Sequence, residues 1–118
     1  MSKHKKEFDK HLVIALQKLA WPLFDKNGKK VFVRSNDRKG DGFSHIASKH
    51  HSLKVRDIEL IPSILKNPLA IKKDKRKGLV YYGKRKGINK SLYLKIVLRE
   101  DKTEHLIIIT ICASKRLP

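Results

Sequence analysis

Residues 91–99 have the sequence SLYLKIVLR, and their hydrophobic pattern has a period of two. One set of alternating positions is aliphatic: Leu92, Leu94, Ile96 and Leu98. The other set is Tyr93, Lys95, Val97 and Arg99. Because successive side chains of a strand point to opposite faces of a sheet, this stretch predicts a strand with one face in the core. The opposite face would present hydroxyl groups and cations.

Three further strands are predicted around this one. They cover LAIKK at 69–73, LVYYG at 79–83 and EHLIIITICA at 104–113. The joins between the four strands have the length of hairpin turns, and hairpins connect antiparallel neighbours. The C-terminal half of the chain is therefore expected to form a four-stranded, roughly antiparallel sheet.

The alternation within these strands also assigns side chains to faces. The strand near residue 80 is expected to place on one side Val80, Tyr82 and Lys84. The last strand is expected to place on one face Ile107, Ile109 and Ile111, with Thr110 opposite. A face that carries tyrosine, lysine, arginine and threonine without a carboxylate suits a phosphodiester chain whose bases stack on tyrosine.

The N-terminal half has helical spacing instead. Residues 5–20 predict an amphipathic helix that ends near Trp21-Pro22. A turn at DKNG (25–28), a short strand at 30–35, a loop at 36–42, a short helix to about His51 and a helix from Val55 to Lys66 follow. The predicted class is α+β, with N-terminal helices on one face of the four-stranded sheet. We expect a single domain, 1–118, whose helical part covers about 5–66 and whose sheet covers about 69–113.

Charge is the strongest compositional signal. The chain has 29 Lys and Arg against 11 Asp and Glu, a net charge of +18. An excess of positive charge of this size opposes compaction of the chain unless a polyanion is a regular partner. The phosphate backbone of a nucleic acid is the polyanion that we favour. No apolar run is long enough for a membrane span, and the single Cys112 cannot form an internal disulfide. A cytoplasmic protein, or one delivered into a target cytoplasm, is expected.

Three histidines lie close together in GFSHIASKHH at 42–51. One cysteine and no carboxylate pair make a metal site a poor interpretation, so no metal and no cofactor are expected. His50 is expected at the buried edge of its helix, in a structural role near the site. His45 shares the other side with Lys49. Its imidazole titrates near neutrality and could exchange the 2′-hydroxyl proton of RNA, with a structural or phosphate-contacting role as the alternative.

Several short motifs together resemble a known family. They are GFSHIASKH at 42–50, DIELIPSILKNP at 57–68, YY at 81–82 and IT at 109–110. This pattern, over about 43–115, resembles the barnase–EndoU–colicin–RelE superfamily, and in it the nucleases associated with phages and toxins. The resemblance implies N-terminal helices, a four-stranded antiparallel sheet that holds the active site, and metal-independent cleavage of transfer or messenger RNA to a 2′,3′-cyclic phosphate.

The resemblance also implies site residues. The helix histidine of the family corresponds to His45, the basic residue of a central strand to Lys84 or else Lys95, and the hydroxyl of the last strand to Thr110. Ser114 or Lys115 would substitute for Thr110, because Ile111-Cys112 departs from the aromatic residue that usually follows it. Tyr82 is added for stacking or proton transfer.

The remaining expectations concern partners. The side chains expected to contact RNA phosphates are Lys49, Lys95, Arg85, Lys86, Arg99 and Lys115. An acidic antitoxin or immunity protein is a compatible second partner. The alternative function is a non-enzymatic, basic RNA- or DNA-binding protein, which the charge alone would explain equally well.

Overall fold

The computed structural model describes residues 9–33, 46–47, 53–74, 78–87 and 90–118, which form two helices and one six-stranded sheet. The helices are α1 (Lys10–Lys18) and α2 (Val55–Lys66). The strands are β1 (Leu23–Phe24), β2 (Lys30–Val33), β3 (Ala70–Asp74), β4 (Gly78–Lys84), β5 (Tyr93–Glu100) and β6 (Leu106–Ser114). Their order in the sheet is β1-β2-β6-β5-β4-β3.

The α+β class is confirmed, but the prediction of a four-stranded antiparallel sheet is wrong in two respects. The sheet has six strands, because β1 and β2 continue it beyond β6. It is also mixed, because β2 pairs with β6 in parallel. This pairing makes β6 an interior strand with neighbours on both edges. An interior strand suits the nearly continuous apolar run of residues 106–109.

The two described helices lie close to their predicted positions in the sequence, but the prediction that the N-terminal helices pack on one face of the sheet is only partly right, because α1 packs mainly on the second helix. α1 begins after Asp9, whose side chain accepts a hydrogen bond from the backbone N–H of His11 at 2.8 Å. α2 has the predicted bounds. α2 packs against β4 and β1, and α1 packs against α2. Of the short helix predicted to end near His51, only Ile46 and Ala47 are described, and both are fully buried. In the described part of the chain, no helix is long and apolar enough to cross a membrane.

The core lies between α2 and one side of the sheet, which we call the inner face. Its buried side chains from the three longest strands are Tyr81, Leu94, Ile96, Leu98, Leu106, Ile108 and Ile111. Ile64 of α2 packs directly on Gly83 of β4. A Cβ at position 83 would lie 2.3 Å from Cγ1 of Ile64. Glycine is thus required here by the proximity of the helix.

A β-bulge changes the predicted faces of β6. Thr110 pairs with Val97 and Ile108 pairs with Leu98, which leaves Ile109 without a partner of its own. The buried residues are consequently Leu106, Ile108 and Ile111. The expected grouping of Ile107, Ile109 and Ile111 on one face is therefore wrong, because the extra residue reverses the alternation within the strand.

A buried ion pair joins α2 to the end of β4. The Arg85 guanidinium donates from Nε to Asp57 Oδ1 at 2.9 Å and from Nη2 to Asp57 Oδ2 at 2.7 Å. Oδ2 also accepts the backbone N–H of Lys54 at 2.8 Å, and Nη1 of Arg85 donates to the Ser91 carbonyl at 3.1 Å. Asp57 is completely buried and Arg85 is 6% exposed. Both charges are thus satisfied away from water.

We expect Asp57→Ala to lower the free energy of unfolding by about 3–5 kcal/mol, because it leaves the buried guanidinium without its carboxylate. The comparison is Lys29→Ala, which removes an exposed ion pair with Glu100 and should change stability little. Urea unfolding measures both. The double variant Asp57→Ala/Arg85→Ala should be less destabilised than the sum of its single variants. Equal, small losses for Asp57→Ala and Lys29→Ala would contradict the role of this pair.

A second buried hydrogen bond crosses the inner face. The Tyr81 hydroxyl on β4 donates to Asp25 Oδ2 at 3.0 Å, although the two residues are 56 positions apart. Asp25 Oδ1 accepts the backbone N–H groups of Asn27 and Lys29 at 2.9 and 2.8 Å. Gly28, with φ +82°, completes the predicted DKNG turn. Burial, and secondarily the bond to Asp25, raises the pKa of Tyr81.

This shift predicts a loss of stability in alkali. The pKa of Tyr81 is higher in the folded chain than in the unfolded one, where it is about 10. The stabilisation is therefore fully present below pH 10 and is lost as the pH rises above it. The free energy of unfolding of the wild type should fall by about 1.4 kcal/mol more per pH unit above 10 than that of Tyr81→Phe, which has no phenolic proton to release. Urea unfolding of both proteins from pH 8 to 11 measures this, and parallel pH profiles would contradict it.

Candidate nucleic-acid interface

The side of β4, β5 and β6 that points away from α2 carries five of the predicted site residues, which are Tyr82, Lys84, Lys95, Arg99 and Thr110. We call it the outer face. Its members by strand register are Val80, Tyr82, Lys84, Tyr93, Lys95, Val97, Arg99, Ile107, Thr110, Cys112 and Ser114. None of these positions holds a carboxylate. A carboxylate-free surface with exposed or half-buried cations and hydroxyl groups favours contact with phosphate.

Lys95 lies at the centre of this face. It is half-buried on β5, directly opposite Tyr82 on β4 and Cys112 on β6. Thr110 is its diagonal neighbour on β6, since Thr110 opposes Val97. Diagonal neighbours in an antiparallel pair have Cα atoms roughly 7–8 Å apart. The Lys95 ammonium and the Thr110 hydroxyl can therefore contact one bound phosphate.

Lys84 and Thr110 do not come together. Lys84 opposes Tyr93, and Tyr93 opposes Ser114, so these three form a separate row near the end of β4. Two strand spacings and four residues along the strand put Lys84 and Thr110 about 16 Å apart. A single phosphate could not contact both side chains. The alternative that the family resemblance left open, Lys95, is thus the lysine that the register places next to Thr110.

The two tyrosines of the outer face differ in accessibility. Tyr82 is only 7% exposed, which leaves little of its ring for a base to stack on. Tyr93 is half-buried and lies in the row of Lys84, two residues from Lys95 along β5. Stacking on a nucleic-acid base needs an open ring face. Tyr93 is therefore better placed for stacking than Tyr82, and the period-two pattern of residues 91–99 already assigns Tyr93 to this face.

The basic residues expected to contact phosphates have different surroundings. Lys86, Arg99 and Lys115 are exposed. Arg85, in contrast, is buried in its ion pair with Asp57, so its guanidinium is engaged in holding the fold together. Lys72 was not predicted from the sequence to contact phosphate. It is nevertheless exposed on β3 opposite Val80, where it extends the outer face. The same alternation, applied to residues 69–73, would have identified it.

The predicted helix residues His45, Lys49 and His50 lie outside the described residues. Among the residues that the structure describes, no three His, Cys, Asp or Glu side chains form a group that could hold a metal ion. Comparisons with family models, curated proteins and solved structures found no match to this chain.

Lys95→Ala should weaken the binding of a single-stranded RNA oligonucleotide about tenfold at 100 mM salt, because it removes one charged contact at the centre of the face. The slope of log K against log salt should fall by about 1. Lys10→Ala, on the exposed side of α1, is the control with the same change in net charge. Fluorescence anisotropy measures both variants. Equal effects would show that only the overall charge matters.

Proposed function

We propose that this chain is a metal-independent endoribonuclease that binds RNA across the outer face. The observation that carries the proposal is the position of Lys95 beside Thr110 on a carboxylate-free sheet face. The net charge of +18 supports it, because electrostatic contacts to phosphates supply most of the non-specific affinity for nucleic acid. A toxin-like role, with an acidic inhibitor that covers the same face, belongs to this proposal.

The chemistry proposed is internal transesterification. The 2′-oxygen of RNA attacks the adjacent phosphorus, its proton passes to a general base, and the 5′-oxygen leaves with a proton from a general acid. The products are a 2′,3′-cyclic phosphate and a 5′-hydroxyl. His45 is the proposed base or acid. Lys95 would stabilise the negative charge on the phosphorane oxygens, and Thr110 would donate a hydrogen bond to the same phosphate.

The other outer-face residues would hold the flanking nucleotides. From Tyr93 to Arg99, β5 extends about 20 Å along the face, and Arg99 at its end is exposed. Lys84 lies beside Tyr93 at the opposite end. A strand of RNA that follows β5 would meet a cation at each end and one at the centre, with Tyr93 available for stacking.

The second candidate is a non-enzymatic RNA- or DNA-binding protein. The spacing of Lys84, Lys95 and Arg99 favours it, because these cations are distributed along the face and do not converge on one point. Such an arrangement suits contact with successive phosphates. The two candidates share the binding surface and differ only in whether the bound RNA is cut.

Incubation with transfer RNA in EDTA separates them. We expect cleavage in EDTA with 2′,3′-cyclic phosphate termini, and no cleavage of a DNA strand of the same sequence that lacks the 2′-hydroxyl. His45→Ala should lower the cleavage rate about 10²–10⁴-fold, the usual effect of a general acid or base, with RNA affinity changed less than twofold. His11→Ala, exposed on α1, is the matched control and should cleave like wild type.

Other outcomes decide against the proposal. RNA that is bound but stays intact would establish the second candidate. Cleavage that requires added Mg²⁺, or that cuts the DNA strand as well, would refute the transesterification mechanism. Absence of salt-dependent RNA binding would refute both candidates.

A further inference from the structure

The two ends of the sheet approach each other across the inner face. The β1–β2 turn and β3 lie at opposite ends of the strand order. Nevertheless, Asp25 of that turn accepts the hydrogen bond of Tyr81 on β4, the neighbour of β3. The sheet must therefore curve around its inner face to bring these elements together.

Beside the Asp25–Tyr81 bond lies an open cavity of about 630 Å³, which we call the inner cleft. Its apolar side is formed by Ile71, Leu79 and Tyr81 from β3 and β4. Lys26 and Asn27 contribute from the β1–β2 turn. Pockets that hold small-molecule ligands usually have volumes of about 300–1,000 Å³ and combine apolar walls with a few polar groups. The inner cleft meets both criteria.

The inner cleft is separate from the proposed RNA interface. Ile71 pairs with Tyr81, and Lys73 pairs with Leu79, so their side chains share the inner face. α2 covers this face at Gly83, near the other end of β4. Near Gly78 and Leu79, at the start of β4, the same face borders the cleft instead.

Three lysines come together at the cleft from two different parts of the chain. Lys26 and Lys29 belong to the β1–β2 turn, and Lys73 to β3. Lys29 forms an ion pair with Glu100 in which its ammonium group donates a hydrogen bond to the carboxylate. This hydrogen bond raises the pKa of Lys29. Lys26 and Lys73 have no ion-pair partner within the described residues. Two ammonium groups that have no ion-pair partner in the described part of the chain, beside an apolar wall, favour a ligand that has both an anionic and an apolar part.

We propose that the inner cleft binds a nucleoside monophosphate or a small anion of that class. The phosphate would lie between Lys26 and Lys73, with the Asn27 amide as a further donor. The base would pack on the aliphatic side chains of Ile71 and Leu79. The site is independent of RNA cleavage on the outer face, because the two surfaces lie on opposite sides of the sheet.

The experiment is calorimetric titration with 5′-AMP at 150 mM salt, compared with inorganic phosphate and with adenosine. We expect 5′-AMP to bind at one site per chain. Inorganic phosphate and adenosine, which each carry only one part of 5′-AMP, should both bind at least tenfold more weakly. Lys73→Ala should weaken 5′-AMP about tenfold, the effect of one lost charge-assisted contact. The matched control is Lys72→Ala, the adjacent lysine on β3 whose side chain is on the outer face; it should bind like wild type.

Each contrary result overturns the inference. Absence of 5′-AMP binding by wild type would do so directly. Equal losses in Lys73→Ala and Lys72→Ala would indicate a response to net charge only, and a loss in Lys95→Ala would place the nucleotide on the outer face. Phosphate that binds as tightly as 5′-AMP would show that the apolar wall makes no contribution. Both β3 lysines are exposed, so these variants should fold, and circular dichroism checks this.

Discussion

The buried ion pair between Asp57 and Arg85 is the interaction on which the arrangement of helix and sheet depends. Asp57 lies in the first turn of α2, where the helix dipole favours a negative charge. Arg85 directly follows β4, so the pair fixes the start of the helix to the end of a strand. A buried pair of this kind contributes mainly through the penalty for losing either partner. With α2 held over Gly83, the opposite side of β4, β5 and β6 is left as the outer face.

The elements that could be predicted from the sequence are those whose signals are local. The period-two pattern of residues 91–99 correctly predicted that Leu94, Ile96 and Leu98 of β5 are buried. It was wrong for Leu92, which precedes the strand and is exposed. The proline of Asn67-Pro68 marked the end of α2 within one residue. β6 shows the limit of this reasoning. Its run of aliphatic residues has no polar residue to mark the bulge at Ile109, so alternation alone assigned the wrong side chains to the core.

Features that depend on distant residues could not be predicted. The parallel pairing of Val31 with Leu106 joins segments that are far apart in the sequence, and the hydrophobic pattern of neither segment indicates it. Arg85 lies in the basic run KRKG and had the pattern of an exposed residue, whereas its partner Asp57 is 28 positions away. The choice between Lys84 and Lys95 as neighbour of Thr110 also needed strand register. Composition favoured a polyanion as partner, but only the register indicated which cations lie together.

The distribution of charge over two faces follows from the same geometry. Lys72 and Lys73 are neighbours on β3, yet their side chains point to opposite sides of the sheet because the strand alternates. Basic residues that are consecutive in sequence therefore supply both the outer face and the inner cleft. A net charge of +18 destabilises a compact chain through self-repulsion. Because salt screens longer distances, an anion that binds would relieve this repulsion only among the cations close to it. Phosphate ligands on both faces would lower it more than one polyanion confined to the outer face.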